Sequence, residues 1–147
     1  MIALTYLLLG ALGAVVFLGL AAQSPQENRI LALGLGIAAV LYIAFAWIGQ
    51  ASAAWVVTEM GGALGYGVAA GLGLYRSRWW LMLGWLAHPL WDVGLHVLGR
   101  GSAFAPQGYA ISCISFDLVV AIYILITQLT RSRATPDPIS ALSSLKS

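Results

Sequence analysis

Residues 2–22 read IALTYLLLGALGAVVFLGLAA, a run that contains no charged side chain. Since a helix needs about 20 apolar residues to cross a membrane, this run predicts a transmembrane helix. Four further apolar runs lie near residues 30–48, 52–74, 80–98 and 109–127. We therefore predict an all-α, polytopic membrane helix bundle of about five transmembrane helices within residues 1–130. Residues 131–147, rich in serine, proline and charge, are predicted to form a flexible cytoplasmic tail.

The composition supports a membrane class. Hydrophobic residues make up 61% of the chain and charged residues 8%, a balance that no soluble domain could keep in solution. The net charge of +2 is too small to indicate nucleic-acid binding. The single cysteine, Cys113, excludes an intramolecular disulfide and a thiolate metal cluster. Cleavage of the first run as a signal peptide after Ala22 is disfavoured, because no basic segment precedes the run and it is longer than a signal h-region.

The distribution of basic residues predicts an orientation. Between the predicted spans, one side of the bundle carries nearly all lysine and arginine: Arg29, Arg76, Arg78, Arg131, Arg133 and Lys146. The other side carries only Arg100. The positive-inside rule then places the amino terminus outside and the carboxyl terminus in the cytoplasm.

Ionisable side chains inside the predicted spans are the most informative feature of the sequence. They are Glu59, His88, Asp92, His96 and Asp117, and no lysine or arginine joins them. Buried charges in a membrane are costly and normally mark a site or a pathway. Here the negative charge must be met by shared protons, by histidinium, or by a bound metal ion or cationic ligand.

The spacing of these residues predicts one polar layer. The three carboxylates each lie six to eight residues from the outer end of a span, or about 10 Å deep. On the fourth span, His88, Asp92 and His96 follow each other at intervals of four residues and share one helix face. The two histidines are about 12 Å apart along the axis, so they are not expected to bind one ion together. His96 is expected behind the site or at its entrance.

Aromatic residues and glycines surround this layer. We expect Trp55, Tyr66, Trp85 and Trp91 to line an apolar or cation-stabilising pocket, although packing and lipid contact also explain such residues. The third span is rich in glycines at small-xxx-small spacing. This pattern is compatible with ordinary helix packing or with a homodimer through the third helix.

The segment from Glu59 through Trp85, the run 88–92 and His96 to Asp117 resembles a family of small bacterial membrane proteins with no assigned function. The resemblance implies a multi-pass protein of the bacterial inner membrane and supplies no reaction. A looser similarity is to ceramidase-like membrane hydrolases, which bind an intramembrane zinc through His and Asp. Those proteins have more helices and paired histidines that this chain lacks. Small membrane-bound terpenoid cyclases are similar only in placing acidic residues among aromatics.

Three functions remain open. The first is a membrane-embedded enzyme acting on a lipid or isoprenoid-like substrate through Glu59, His88, Asp92 and Asp117. These residues would either bind a divalent metal ion, preferably zinc, for hydrolysis, or act without a metal as the acid of an isomerase or cyclase. The second is a proton- or metal-ion-coupled transporter. The third is a purely structural role, in which protonated carboxyl groups and histidines hydrogen-bond the helices together.

Overall fold

The computed structural model describes residues 1–133, which are almost entirely helical. The five α-helices are α1 (Ile2–Ala22), α2 (Glu27–Ile48), α3 (Ala53–Tyr75), α4 (Trp79–Trp91) and α5 (Gln107–Arg133). A π-helical segment, Asp92–Val97, continues α4, and a short 3-10 helix, Arg100–Ala103, precedes α5. No strand occurs in residues 1–133, and the predicted all-helical fold with five helices is confirmed.

Two helices extend well beyond the expected spans. Helix α2 begins at Glu27, where an acidic side chain is favourable at the positive end of the helix dipole. Helix α5 continues through Arg133, so the first residues of the predicted tail are helical. The rest of that tail lies outside the described residues.

The helices pack in the order α1, α5, α4, α3 and α2. Helix α1 packs mainly on α5 and helix α2 mainly on α3, while α1 and α2 contact each other little. The α1–α5 approach is close at Gly10, where a Cβ atom would collide with the Ser112 carbonyl and the Ser115 hydroxyl. The Ser115 hydroxyl donates a hydrogen bond to the Leu7 carbonyl at 2.7 Å. Helix α1 is therefore attached to the bundle through α5.

The core of the bundle is apolar along most of its length. Its largest completely buried side chains include those of Leu31, Leu35, Leu81, Trp85 and Ile124. The Trp85 indole satisfies its N–H group by donating to the Leu31 carbonyl at 3.2 Å. This layer separates two polar clusters that lie near opposite ends of the bundle.

The outer surface is that expected of a membrane protein. Helices α1, α2 and α5 are each long and apolar enough to cross a membrane. Large apolar side chains on the outer faces are widely exposed, including those of Leu8, Leu12, Ile37, Val57, Leu64 and Leu90. An exposed apolar surface of this extent marks contact with a membrane or a partner.

The glycines of α3 fall into two groups. Gly62 packs against Trp91 and Gly73 against Leu81, so both permit close helix contacts. Four other glycines have open space where a Cβ atom would be: Gly61, Gly65, Gly67 and Gly71. A homodimer through this face stays a prediction.

Candidate functional site

Three of the predicted site residues meet where α4 and its π-helical continuation pack on α5. His88 Nδ1 lies 2.8 Å from Asp117 Oδ2, within hydrogen-bond distance, and 3.5 Å from Asp92 Oδ2. All three side chains are completely buried. One potential ligand atom from each lies within 4.8 Å of the others. We call His88, Asp92 and Asp117 the His–Asp–Asp group.

The local sequence explains this arrangement. His88 and Asp92 are four residues apart and so lie on the same side of the helix. That side faces α5, the helix that carries Asp117.

A π-helical segment follows directly. It begins three residues after Pro89, a residue that cannot donate a backbone hydrogen bond. The Leu98 N–H group donates to the carbonyl of Val93, five residues earlier, instead of to the residue four earlier. A turn of this kind is rare and frequently occurs at functional sites. It changes the face on which the following side chains lie, and His96 points toward α3.

His96 lies beside Glu59 of α3 instead of beside Asp92. Its Nε2 atom is 3.5 Å from Glu59 Oε1, and both side chains are buried. The Trp91 indole donates a hydrogen bond to Glu59 Oε2 at 3.2 Å. Glu59 is therefore not a member of the His–Asp–Asp group, and His96, expected behind the site or at its entrance, is completely enclosed.

Tyr42 of α2 joins the two parts of the site. Its ring stacks on the His96 imidazole, with centroids 4.0 Å apart, and lies 6.0 Å from the His88 ring. Its hydroxyl lies near enough to Asp92 to interact with that carboxylate. Sequence reasoning missed Tyr42, since α2 carries no histidine and no carboxylate beyond its first residue. A polar aromatic within an apolar run was the only signal.

The site holds an unusual number of polar atoms without hydrogen bonds. Eight such buried atoms belong to six side chains: the Tyr42 hydroxyl, Glu59 Oε1, His88 Nε2, both Asp92 oxygens, both His96 nitrogens and Asp117 Oδ1. Each buried, unsatisfied polar group costs about 1–3 kcal/mol. Such atoms in a native protein are explained by a bound water or ion or by a catalytic role.

The four aromatics expected to line a pocket lie in different places. Tyr66 contacts the His88 ring edge-on at 4.9 Å, and Trp91 contacts Glu59. Trp85 belongs to the apolar core beside Phe17 and Phe116. Trp55 packs its ring against that of Phe104, with the centroids 5.3 Å apart.

Two apolar cavities border the site. The larger, about 480 Å³, lies between α3 and α4 and is lined by Gly61, Gly65, Tyr66 and Trp91 among others. The smaller, about 300 Å³, is lined by residues of α1, α2, α4 and α5 and reaches Asp117. Of these two cavities, the smaller is the one lined by a residue of the His–Asp–Asp group, Asp117.

A second polar cluster lies toward the opposite end of the bundle. Glu27 Oε1 accepts hydrogen bonds from the Arg78 guanidinium and the Tyr123 hydroxyl, and Glu27 Oε2 accepts one from Arg131. These contacts connect the start of α2, the start of α4 and the end of α5. Sequence reasoning placed Glu27 and Arg78 in loops and did not predict the cluster.

Comparison with known proteins supplies a family. Residues 1–130 match the model of a family of unknown function, DUF6010. No curated protein and no solved structure matches the chain. The predicted resemblance to a family without an assigned function is confirmed, and the chain belongs to the DUF6010 family.

Proposed function

We propose that this protein is a membrane-embedded enzyme that binds a divalent metal ion through His88, Asp92 and Asp117 and hydrolyses a lipid-like substrate. The observation that carries the proposal is the His–Asp–Asp group itself. Its potential ligand atoms lie within 4.8 Å of one another in a completely buried part of the bundle.

The donor set suits zinc. Zinc in catalytic sites is bound by three protein ligands, commonly histidine nitrogens and carboxylate oxygens, and a fourth position is left for water. Two carboxylates also balance the charge of a divalent ion, which accounts for a buried acidic group without lysine or arginine. Bound water at such a site is activated for hydrolysis at neutral pH.

Glu59 and His96 would serve the same reaction from the neighbouring helix face. Their side chains lie 3.5 Å apart, and the Tyr42 ring on His96 also borders the His88 ring. A carboxylate–imidazole pair beside a metal-bound water is suited to accept and return a proton. We assign this pair a general acid–base role.

The membrane setting of the proposal follows from the chain's basic residues. We propose that all five helices cross the inner membrane of a bacterium, with the amino terminus outside. Arg29, Arg76, Arg78 and Arg131 then lie at the cytoplasmic end, and Arg100 lies at the outer end.

Transport is less well supported. The second polar cluster, around Glu27, lies toward the opposite end of the bundle. A proton or metal ion that moved from the His–Asp–Asp group to this cluster would have to cross the apolar layer around Leu35, Leu81 and Ile124. Among residues 1–133, no buried ionisable group lies in this layer to continue the path. An apolar cavity that reaches Asp117 favours chemistry on an apolar substrate instead.

Metal analysis of the purified protein tests the proposal. We expect the wild type to hold about one equivalent of zinc after loading and dialysis, and Asp92→Asn and Asp117→Asn to lose it. Glu59→Gln is the matched control, since it removes a buried carboxylate that lies outside the His–Asp–Asp group. A wild type that retains no metal, or asparagine variants that retain it fully, would overturn the metal site.

A further inference from the structure

The smaller cavity, which we call the α1–α2 cavity, connects the surface of the bundle with the site. Its wall includes Phe17 of α1, Ile37 and Ala38 of α2, and Phe116 and Asp117 of α5. Ile37 is 61% exposed, whereas Asp117 is completely buried. The cavity therefore extends from the outer surface of α2 to Asp117, one residue of the His–Asp–Asp group.

The packing of α1 and α2 makes this a side entrance. Each of these helices packs mainly on another neighbour, and contacts between the two are few. Both are apolar enough to cross a membrane. A molecule dissolved in the lipid would thus meet the opening without passing through water.

The wall of the cavity is almost entirely apolar. Within residues 1–133, Asp117 is the only acidic or basic residue that contributes to the wall, and its carboxylate is completely buried behind the wall surface. The described lining contains no lysine or arginine that could accept a phosphate or another anion. The wall is therefore complementary to an uncharged hydrocarbon chain.

We propose that the α1–α2 cavity binds the hydrocarbon chain of the substrate and directs the uncharged polar end of the substrate, such as a hydroxyl or an ester, toward Asp117 at the inner end of the cavity. This inference rests on the proposed function of the same site. At about 30 Å³ for a group the size of a water molecule or a methylene, the cavity volume of about 300 Å³ holds roughly ten chain atoms. A longer chain would extend past Ile37 into the bilayer.

The larger cavity between α3 and α4 is the alternative location, and it fits less well. Tyr66 and Trp91 line it, and these two side chains stand between the cavity and the buried groups that they contact, His88 and Glu59. No charged residue is present in its wall. A chain bound there would lie beside no residue of the His–Asp–Asp group.

Photocrosslinking in lipid vesicles tests the assignment. The probe is decanol that carries a diazirine in its chain, and mass spectrometry identifies the labelled peptides. We expect labelling of residues around Ala38 and Phe116, competition by unlabelled decanol, and little competition by decyl phosphate. Labelling confined to the α3–α4 cavity, or spread over the lipid-facing surface without competition, would overturn the proposal.

Two filling variants sharpen the test. Ala38→Trp places a large side chain in the wall of the α1–α2 cavity, and Gly65→Trp is the matched control, because Gly65 lines the larger cavity and a Cβ atom there meets nothing within 4 Å. We expect the specific labelling to fall about tenfold or more in Ala38→Trp and to persist in Gly65→Trp. Equal labelling in both variants would count against the assignment. If Ala38→Trp fails to fold, the positions of the labelled peptides in the wild-type protein still decide the question.

The outcome is independent of the metal measurement. Zinc binding without cavity labelling would leave the proposed function standing and remove this inference. Cavity labelling without zinc binding would support a hydrocarbon site and remove the metal-dependent reaction.

Discussion

The phenol ring of Tyr42 lies parallel to the imidazole of His96, with the ring centroids 4.0 Å apart and the planes inclined by 7°. The contact joins α2 to the π-helical segment. Because Tyr42 also borders the His88 ring, it holds the two histidines in fixed positions relative to each other. The stack therefore belongs to the framework of the site.

Two substitutions of Tyr42 distinguish the contribution of the ring stack to stability from that of the hydroxyl. Tyr42→Phe keeps the ring and removes a buried hydroxyl that forms no hydrogen bond, so we expect the stability to stay the same or to rise, by at most about 1–3 kcal/mol. Tyr42→Leu loses the aromatic contact and should destabilise the protein by about 1–2 kcal/mol. Thermal unfolding of the purified variants in detergent measures the difference. Equal stability of the two variants would show that the stack contributes little.

Gly62 and Gly65 of α3 offer a matched pair of substitutions. A Cβ atom at Gly62 would come within 2.7 Å of the Trp91 ring, whereas one at Gly65 meets nothing within 4 Å. Gly62→Ala should therefore displace Trp91 from Glu59 and lower the unfolding temperature. Gly65→Ala should be neutral or stabilising by up to about 1 kcal/mol, because alanine is the better helix former.

Trp91 fluorescence gives the pair a second measurement. Five other tryptophans contribute to the emission, so the Gly62→Ala spectrum is compared with that of Gly62→Ala/Trp91→Phe. The wild-type spectrum minus the Trp91→Phe spectrum gives the emission of Trp91 in the native structure. We expect the emission maximum of the corresponding difference spectrum in the Gly62→Ala background to be shifted from it. An unchanged difference spectrum together with unchanged stability would contradict the close Gly62–Trp91 contact.

The all-helical fold and the buried ionisable residues could be predicted from the sequence. Long apolar runs and their length requirement predict helices without knowledge of their partners. Likewise, the four-residue spacing of His88 and Asp92 predicts a shared face, and the structure places both toward Asp117.

The spacing of residues along the sequence does not predict the other contacts of the site. The π-helical segment turns His96 toward Glu59, whereas a regular α-helix predicts Asp92 as its neighbour. Tyr42 reaches the site only through the packing of α2. Glu27 gains its partners from two helices that are distant in sequence. In each case the contact is tertiary, and single-helix patterns contain no information about it.

The proposed orientation predicts which residues are accessible from outside the cell. In a Cys113→Ser background, which removes the only cysteine, Ser102→Cys and Gln26→Cys place single thiols in exposed positions near opposite ends of the bundle. We expect a membrane-impermeant thiol reagent to label Ser102→Cys on intact cells and to label Gln26→Cys only after lysis. The reverse pattern would invert the orientation, and equal labelling of both on intact cells would contradict a chain that crosses the membrane.

The Glu27–Arg78 ion pair should stabilise the end of the bundle opposite the His–Asp–Asp group. Arg78 is only 6% exposed, and its guanidinium connects α4 to the first residue of α2. Arg78→Met leaves Glu27 with Tyr123 and Arg131, whereas Glu27→Gln leaves the buried Arg78 charge without its partner. Breaking a buried pair on one side costs roughly 3 kcal/mol, so we expect Glu27→Gln to be the more damaging single substitution.

A double-mutant cycle separates this pair from its surroundings. We expect Glu27→Gln/Arg78→Met to cost less than the sum of the two single variants, because the double variant leaves no unpaired buried charge. Arg76→Met is the control: Arg76 is exposed and lies two residues before Arg78, so its replacement should change stability by about 0.5 kcal/mol or less. Strict additivity of the two single effects would mean that the short contact contributes no coupling energy. The stability of this end would then come from the apolar packing of α2, α4 and α5 alone.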